Sequence, residues 1–139
     1  MDSCLFCKIA NKEMGTILCE NKEAFVIADI NPLSKGHLLV IPKQHAPRLG
    51  DVPDTVLQSV ATYIKKVAMK LGLDKYNILQ NNGHIQSVHH VHFHIIPYNE
   101  EDKEGLNISW KVSEKGKASV PECIEEYKKK LQSLNQNNK

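Results

Sequence analysis

Residues 90–96 read His-Val-His-Phe-His-Ile-Ile, an alternation of imidazole with apolar side chains. On a β-strand, side chains at i, i+2 and i+4 share a face. The spacing therefore predicts His90, His92 and His94 in a row on one side of a sheet, with Val91, Phe93 and Ile95 in the core on the other. A helix would scatter the three rings around its circumference. Rings in such a row stand roughly 6–7 Å apart along the strand. Two chemistries suit them. Neutral imidazole is the commonest metal ligand. Imidazole also titrates near neutrality, so it can attack an electrophile such as phosphorus in one step and carry protons in another. A lone histidine on a strand is ordinarily a surface or satisfied core residue. Three in strict alternation are a different matter, and a purification tag neither alternates with Val and Phe nor sits in mid-chain.

Five of the seven histidines lie between His84 and His94. His89 breaks the alternation and reads as structural or edge-exposed. His84 reads as a turn residue, and His37 as a structural residue of a strand. Cys4 and Cys7 form a Cys-x-x-Cys pair, which alone suggests redox chemistry or two zinc ligands. Two histidines can complete a closed tetrahedral zinc site. The alternative is a pair of half-buried thiols. Cys19 and Cys123 have no partner pattern and read as packing residues.

These residues need a scaffold, and 139 residues make one domain with a core of its own. Composition is that of a globular chain, 41% hydrophobic and 24% charged, which excludes disordered and fibrous classes. Eighteen basic against sixteen acidic residues leave a net charge of +2, too balanced for a nucleic-acid or membrane-surface footprint. No apolar run spans a bilayer. No export signal is visible at the N-terminus, so the expected location is cytoplasmic or nuclear, with reduced cysteines.

Ala24–Asp29 and His37–Ile41 are short apolar runs around a turn and predict a β-hairpin. Val56, Val60, Ile64, Val67 and Leu71 recur at three or four, which predicts a helix over 53–71, capped by Asp51 and closed by Gly72. Tyr76–Gln80 and His89–Ile96 predict a second strand pair. Pro121–Leu134 predicts a C-terminal helix with Ile124, Tyr127, Leu131 and Leu134 on one face. Strand pairs alternating with helices favour an α+β domain with a mainly antiparallel sheet.

The His-Val-His-Phe-His-Ile-Ile segment resembles the histidine triad (HIT) motif. Cys4–Ile9, Asp29-Ile30 with Gly36–His45, and Tyr76–Gly83 are also similar to segments of that family, over about residues 4–98. Gly105 to Trp110 is more weakly similar to a C-terminal stretch of fungal members. The chain resembles most the Hint branch of nucleoside phosphoramidases, fungal Hint relatives among them. The resemblance implies one HIT domain over 1–139, with a motif-bearing core at 4–98 and an extension over 99–139. It also implies about five mainly antiparallel strands, one long central helix, a C-terminal helix and a homodimer.

For chemistry, the resemblance implies hydrolysis of the P–N bond of purine nucleoside 5′-phosphoramidates. His92 would be the nucleophile, forming a nucleotidyl-histidine that water resolves to AMP. His94 would donate to a phosphate oxygen, and Ser87 would pass a proton to the leaving amine. Asp29 would hold the ribose hydroxyls. Gln86 and Asn81 would border the phosphate, and Phe6, Ile9, Ile27 and Ile30 would wall the base pocket. Cys4, Cys7, His45 and His90 would hold a structural zinc, and the chemistry would need no divalent cation. One departure stands out: the Asn82–Gln86 loop is two residues shorter than the family's usual pattern, which leaves the leaving-group preference open. Other readings are a dinucleoside polyphosphate hydrolase, a nucleotidyltransferase, or a nucleotide- and zinc-binding interaction protein.

Overall fold

The computed structural model describes residues 3–135. They fall into two compact units that divide after Leu106. The first carries helix α1 (Leu5–Ala10), strands β1 (Cys19–Glu20), β2 (Ala24–Ala28) and β3 (Leu38–Pro42), helix α2 (Asp54–Lys70), and strands β4 (Tyr76–Leu79) and β5 (Phe93–Pro97). All five strands pair antiparallel, in the order β1-β2-β3-β5-β4. The α+β class and the five-stranded antiparallel sheet are those the sequence predicts.

Strands β2 and β3 are apolar without alternation because both faces of the sheet are covered. Ala24, Val26, Leu38 and Val40 join the core that includes Val56, Val60, Ile64 and Val67 of α2. Phe25, Ile27, Leu39 and Ile41 join Phe6 and Ile9 of α1. Of the face predicted for α2, Val56, Val60, Ile64 and Val67 are buried, whereas Leu71 caps the helix end and is exposed. Each of the Val, Leu, Ile and Phe side chains contributes roughly 1.5–3 kcal/mol on burial. Asn21 folds the chain into β2, its Oδ1 accepting from the Glu23 and Ala24 amides at 3.0 and 2.8 Å.

Three local expectations are corrected, and one helix is added. Asp51 does not cap α2: Pro53 holds the N-cap position, and the Asp51 carboxylate instead accepts from the Arg48 amide at 3.1 Å. The last strand begins at Phe93 rather than His89, because residues 83–90 are drawn into bends by side-chain hydrogen bonds. Cys19 is exposed on the short edge strand β1, so it is not a packing residue. Helix α1 was not foreseen; six residues are too short to show a period, and the Cys4 thiol caps it by accepting from the Cys7 amide.

The second unit contains α3 (Glu114–Ala118) and α4 (Val120–Lys130), followed by a 3-10 turn, Gln132–Asn135. Ser113 caps α3, accepting from the Gly116 amide at 2.9 Å. Pro121 sits in the first turn of α4, where its missing N–H costs nothing. The single predicted C-terminal helix is thus preceded by a short one, and the 3-10 turn forms its tail.

Candidate active site

The histidine row survives beyond the end of its strand. Val91 and Ile95 are buried in the α2-side core, and Phe93 packs against it. The three rings lie on the α1 side, where Phe6 meets His90 and His92 edge-on, with centroids 5.8 and 5.0 Å away. His92 and His94 are neighbours at 5.1 Å.

Hydrogen-bond partners assign the protons. A carbonyl only accepts, so His92 Nδ1, 2.8 Å from the His90 carbonyl oxygen, carries the proton and Nε2 keeps its lone pair. His90 Nε2 donates to the Pro42 carbonyl at 2.8 Å, which leaves its Nδ1 bare. His37 Nδ1 accepts from the Leu33 amide at 3.0 Å. Its Nε2–H therefore donates to His94 Nδ1 at 2.9 Å, and neutral His94 keeps its proton on Nε2. His37, just before β3, is thus more than a structural strand residue: it sets the tautomer of His94. Asp29 stands behind this pair, its carboxylate 3.4 Å from His37 Nε2 and 3.8 Å from His94 Nδ1. Burial, reinforced by the His92 and His37 rings, lowers the pKa of His94 to about 4. Burial also lowers His90 and His37 from the ordinary imidazole value.

Beside His92 lies a cavity of about 410 Å³. Phe6, Ile9, Ile27, Asp29, Ile30, Ser87 and His92 line it, together with residues including Met14, Leu39 and Val88. Phe6, Ile9 and Ile27 are both core and wall, whereas Ile30 is 89% exposed at the rim. Asn81 and Gln86 are not among the lining residues. Both ends of the Gln86 amide are occupied, Oε1 by the Gly83 amide at 2.8 Å and Nε2 by the Pro47 carbonyl at 2.7 Å. The loop is tight enough to hold β-branched Ile85 at φ +56, in the left-handed region such residues avoid.

On the other side of His90, the donor atoms of Cys4, Cys7, His45 and His90 lie within 4.8 Å of one another. His90 Nδ1 is 3.4 Å from the Cys4 sulfur, 3.6 Å from that of Cys7 and 3.2 Å from His45 Nδ1. His45 Nδ1 is 3.3 Å from the Cys7 sulfur. Burial and the adjacent Cys4 thiol push Cys7 up to about 11. Two thiols and two imidazoles converging on one point are the donor set that a tetrahedral zinc takes. The Nε2 bond of His90 to Pro42 fixes this ring in place with Nδ1 turned to the cluster, the kind of outer contact that a metal-ligating histidine would need.

Fold and site define an α+β domain with a row of imidazoles against a small apolar cavity that carries one carboxylate. Comparison with known proteins places it further. Residues 11–101 match the HIT domain model. The chain is 44% identical over 115 residues to adenosine 5′-monophosphoramidase HNT1 of Saccharomyces cerevisiae, covering 81% of this chain and 72% of that protein. It is also 44% identical over 111 residues to adenosine 5′-monophosphoramidase hnt1 of Schizosaccharomyces pombe, covering 78% and 83%. The crystal structure of the histidine triad nucleotide-binding protein from Candida albicans superposes with a TM-score of 0.82 at 34% identity, covering 96% of this chain and all of that one. The chain belongs to the HIT family, in its Hint branch.

Proposed function

We propose that this chain hydrolyses the P–N bond of purine nucleoside 5′-phosphoramidates, of the AMP–NH2 and AMP–lysine type, through a nucleotidyl-His92 intermediate. The observation that carries this reading is the His92 ring: 6% exposed, Nδ1–H tied to the His90 carbonyl, and part of the cavity wall. Its Nε2 lone pair is the nucleophile the first step needs. Relatives named adenosine 5′-monophosphoramidase support AMP as the nucleotide part.

The nucleoside enters the apolar end of the cavity, between Phe6, Ile9 and Ile27, with Ile30 at the rim. Asp29 accepts from the ribose hydroxyls; a carboxylate has lone pairs for both. His92 Nε2 attacks the α-phosphorus, and the P–N bond to the amine breaks. His94 Nε2–H donates to a non-bridging oxygen, so the developing charge meets a fixed donor. Ser87 passes a proton to the departing amine. Water then cleaves the phosphorus–His92 bond, AMP leaves, and two easier displacements replace one difficult step. Gln86 acts from behind, by holding the loop that carries Ser87. In this scheme no divalent cation takes part in the chemistry.

Zinc held by Cys4, Cys7, His45 and His90 would be structural, supplying a charge centre that joins the N-terminal segment to the base of the histidine row. Free thiols in this arrangement suit a reducing compartment, the cytoplasm or nucleus. β4 ends the sheet with Tyr76 and Ile78 exposed, an open edge that suits sheet extension in a homodimer.

The test is hydrolysis of AMP–lysine by wild type and His92→Ala, with intact-mass measurement after a rapid non-acidic quench. Turnover lost in the variant by at least about 10³-fold, with an AMP adduct on wild type alone, is the expected result. Turnover that persists in His92→Ala would overturn it.

A further inference from the structure

The turn between β2 and β3, residues 29–37, carries two groups of the site, Asp29 at one end and His37 at the other. The Asp29 amide closes it by donating to the His37 carbonyl at 3.0 Å. Inside the turn, the His37 amide donates to the Ser34 carbonyl at 3.2 Å, and the Leu33 amide donates to His37 Nδ1 at 3.0 Å. The imidazole is thus oriented from within its own turn. The turn in turn is seated on the end of β5. Ser34 is 3% exposed, and its hydroxyl donates to the Pro97 carbonyl at 2.5 Å. Gly36, at φ +89, brings the backbone down on the same residue: a Cβ there would stand 3.7 Å from Pro97 Cγ. A buried hydroxyl costs free energy unless it is bonded. Here its partner belongs to the strand that carries His94.

We propose that Ser34 is a positioning residue for His94, acting through the Leu33 amide and His37 to keep the His94 proton on Nε2. The bonds run in one direction. Ser34 Oγ–H holds the turn against Pro97, which fixes the Leu33 N–H on His37 Nδ1. Nδ1 accepts, so the His37 proton stays on Nε2 and is donated to His94 Nδ1. The proton of neutral His94 is then left on Nε2, where the phosphate oxygen meets it in the proposed reaction. Without the Ser34 hydroxyl, the Leu33 amide is free to leave His37. The tautomer of an imidazole is set by the bond its other nitrogen makes. With its proton on Nδ1, His37 accepts at Nε2 from His94 Nδ1–H, and His94 Nε2 presents a lone pair where a donor is needed. The Asp29 carboxylate, 3.4 Å from His37 Nε2, favours the original tautomer, so the reversal is partial. The effect on rate rests on the phosphoramidate reading of the site; the effect on the tautomers does not.

The test combines nitrogen NMR of histidine-labelled protein at neutral pH with steady-state kinetics on AMP–lysine. In wild type, His37 and His94 should both carry the proton on Nε2. In Ser34→Ala, both should gain a population protonated on Nδ1. Its kcat should fall about three- to fivefold, with KM within about twofold of wild type. Ser34→Thr, which keeps the hydroxyl, should hold the wild-type tautomers and recover most of kcat. Asn21→Ala removes turn bonds at the other end of β2 and is the control for lost stability alone. Wild-type tautomers in Ser34→Ala, or a kcat loss no larger than that of Asn21→Ala, would overturn the proposal. If wild type hydrolysed no phosphoramidate, the functional reading would fall, and the NMR of Ser34→Ala would still decide the role of Ser34.

Discussion

The Nε2–H of His37 points at Nδ1 of His94 across 2.9 Å, so a residue at the entrance to β3 decides which nitrogen of the third triad histidine carries a proton. Removing that donor should free the His94 tautomer without touching the nucleoside walls. We expect kcat of His37→Ala to fall about tenfold, within the usual range for misplaced acid–base groups, with KM little changed. His37→Gln, which keeps an N–H donor, should recover part of the loss. Steady-state kinetics on one phosphoramidate reads both. Equal losses for Gln and Ala would remove the positioning role.

A second expectation concerns the Cys4, Cys7, His45 and His90 cluster. Purified protein should carry about one zinc per chain, measured by elemental analysis. Cys7→Ser should lower that content and lower Tm by about 5–10 °C, because metal bound only by the folded site is folding free energy. Wild type with no zinc after growth in zinc-supplemented medium would remove the metal from the site.

Acid should loosen the protein through His94. Its folded pKa is about 4, and burial is the largest cause. Unfolded imidazole titrates near 6.5. Between these values the unfolded chain binds more protons, so this group's contribution to stability is whole above about pH 6.5 and declines as pH falls towards 4. The whole contribution is of order 3 kcal/mol. Denaturant unfolding at pH 7, 6, 5 and 4 would trace it. His94→Gln should flatten the slope, and equal slopes in the two proteins would assign it to other groups.

The loop offers a stabilising change. Ile85 is 76% exposed and held at φ +56, a conformation asparagine tolerates far better. Ile85→Asn should add about 1 kcal/mol, seen as a higher thermal midpoint. A lower midpoint would mean that the isoleucine side chain is needed where it sits.

Much of this site was legible because a strand writes its geometry into the sequence. The alternation from His90 to Ile95 put the histidines on one face although the regular strand starts only at Phe93. The α2 face was read from its period, and the gathering of Cys4, Cys7, His45 and His90 from a family likeness that no spacing rule supplies. What was not legible depends on contacts between distant segments. His37 reads as an ordinary strand residue of the hairpin, because nothing local says that its ring reaches His94. The family likeness makes Gln86 and Asn81 neighbours of the phosphate. Gln86 instead spends its amide on Gly83 and Pro47, and neither residue lines the cavity. Asp51 looks like a helix cap until Pro53 takes the position.

The alternation from His90 to Ile95 has a consequence for how such a gene can drift. A single codon inserted or deleted between His90 and His94 would exchange faces for every residue beyond it, sending imidazoles into oil and valine or phenylalanine into the cavity. One event just after His90 would displace the nucleophile, its neighbour His94 and the core face together. The bends before His90 carry no such constraint, since no ladder fixes their count. Changes in length should therefore accumulate there, beside the departing group, while the reacting atoms stay in place. That is a route by which one chemistry can be passed among different leaving groups.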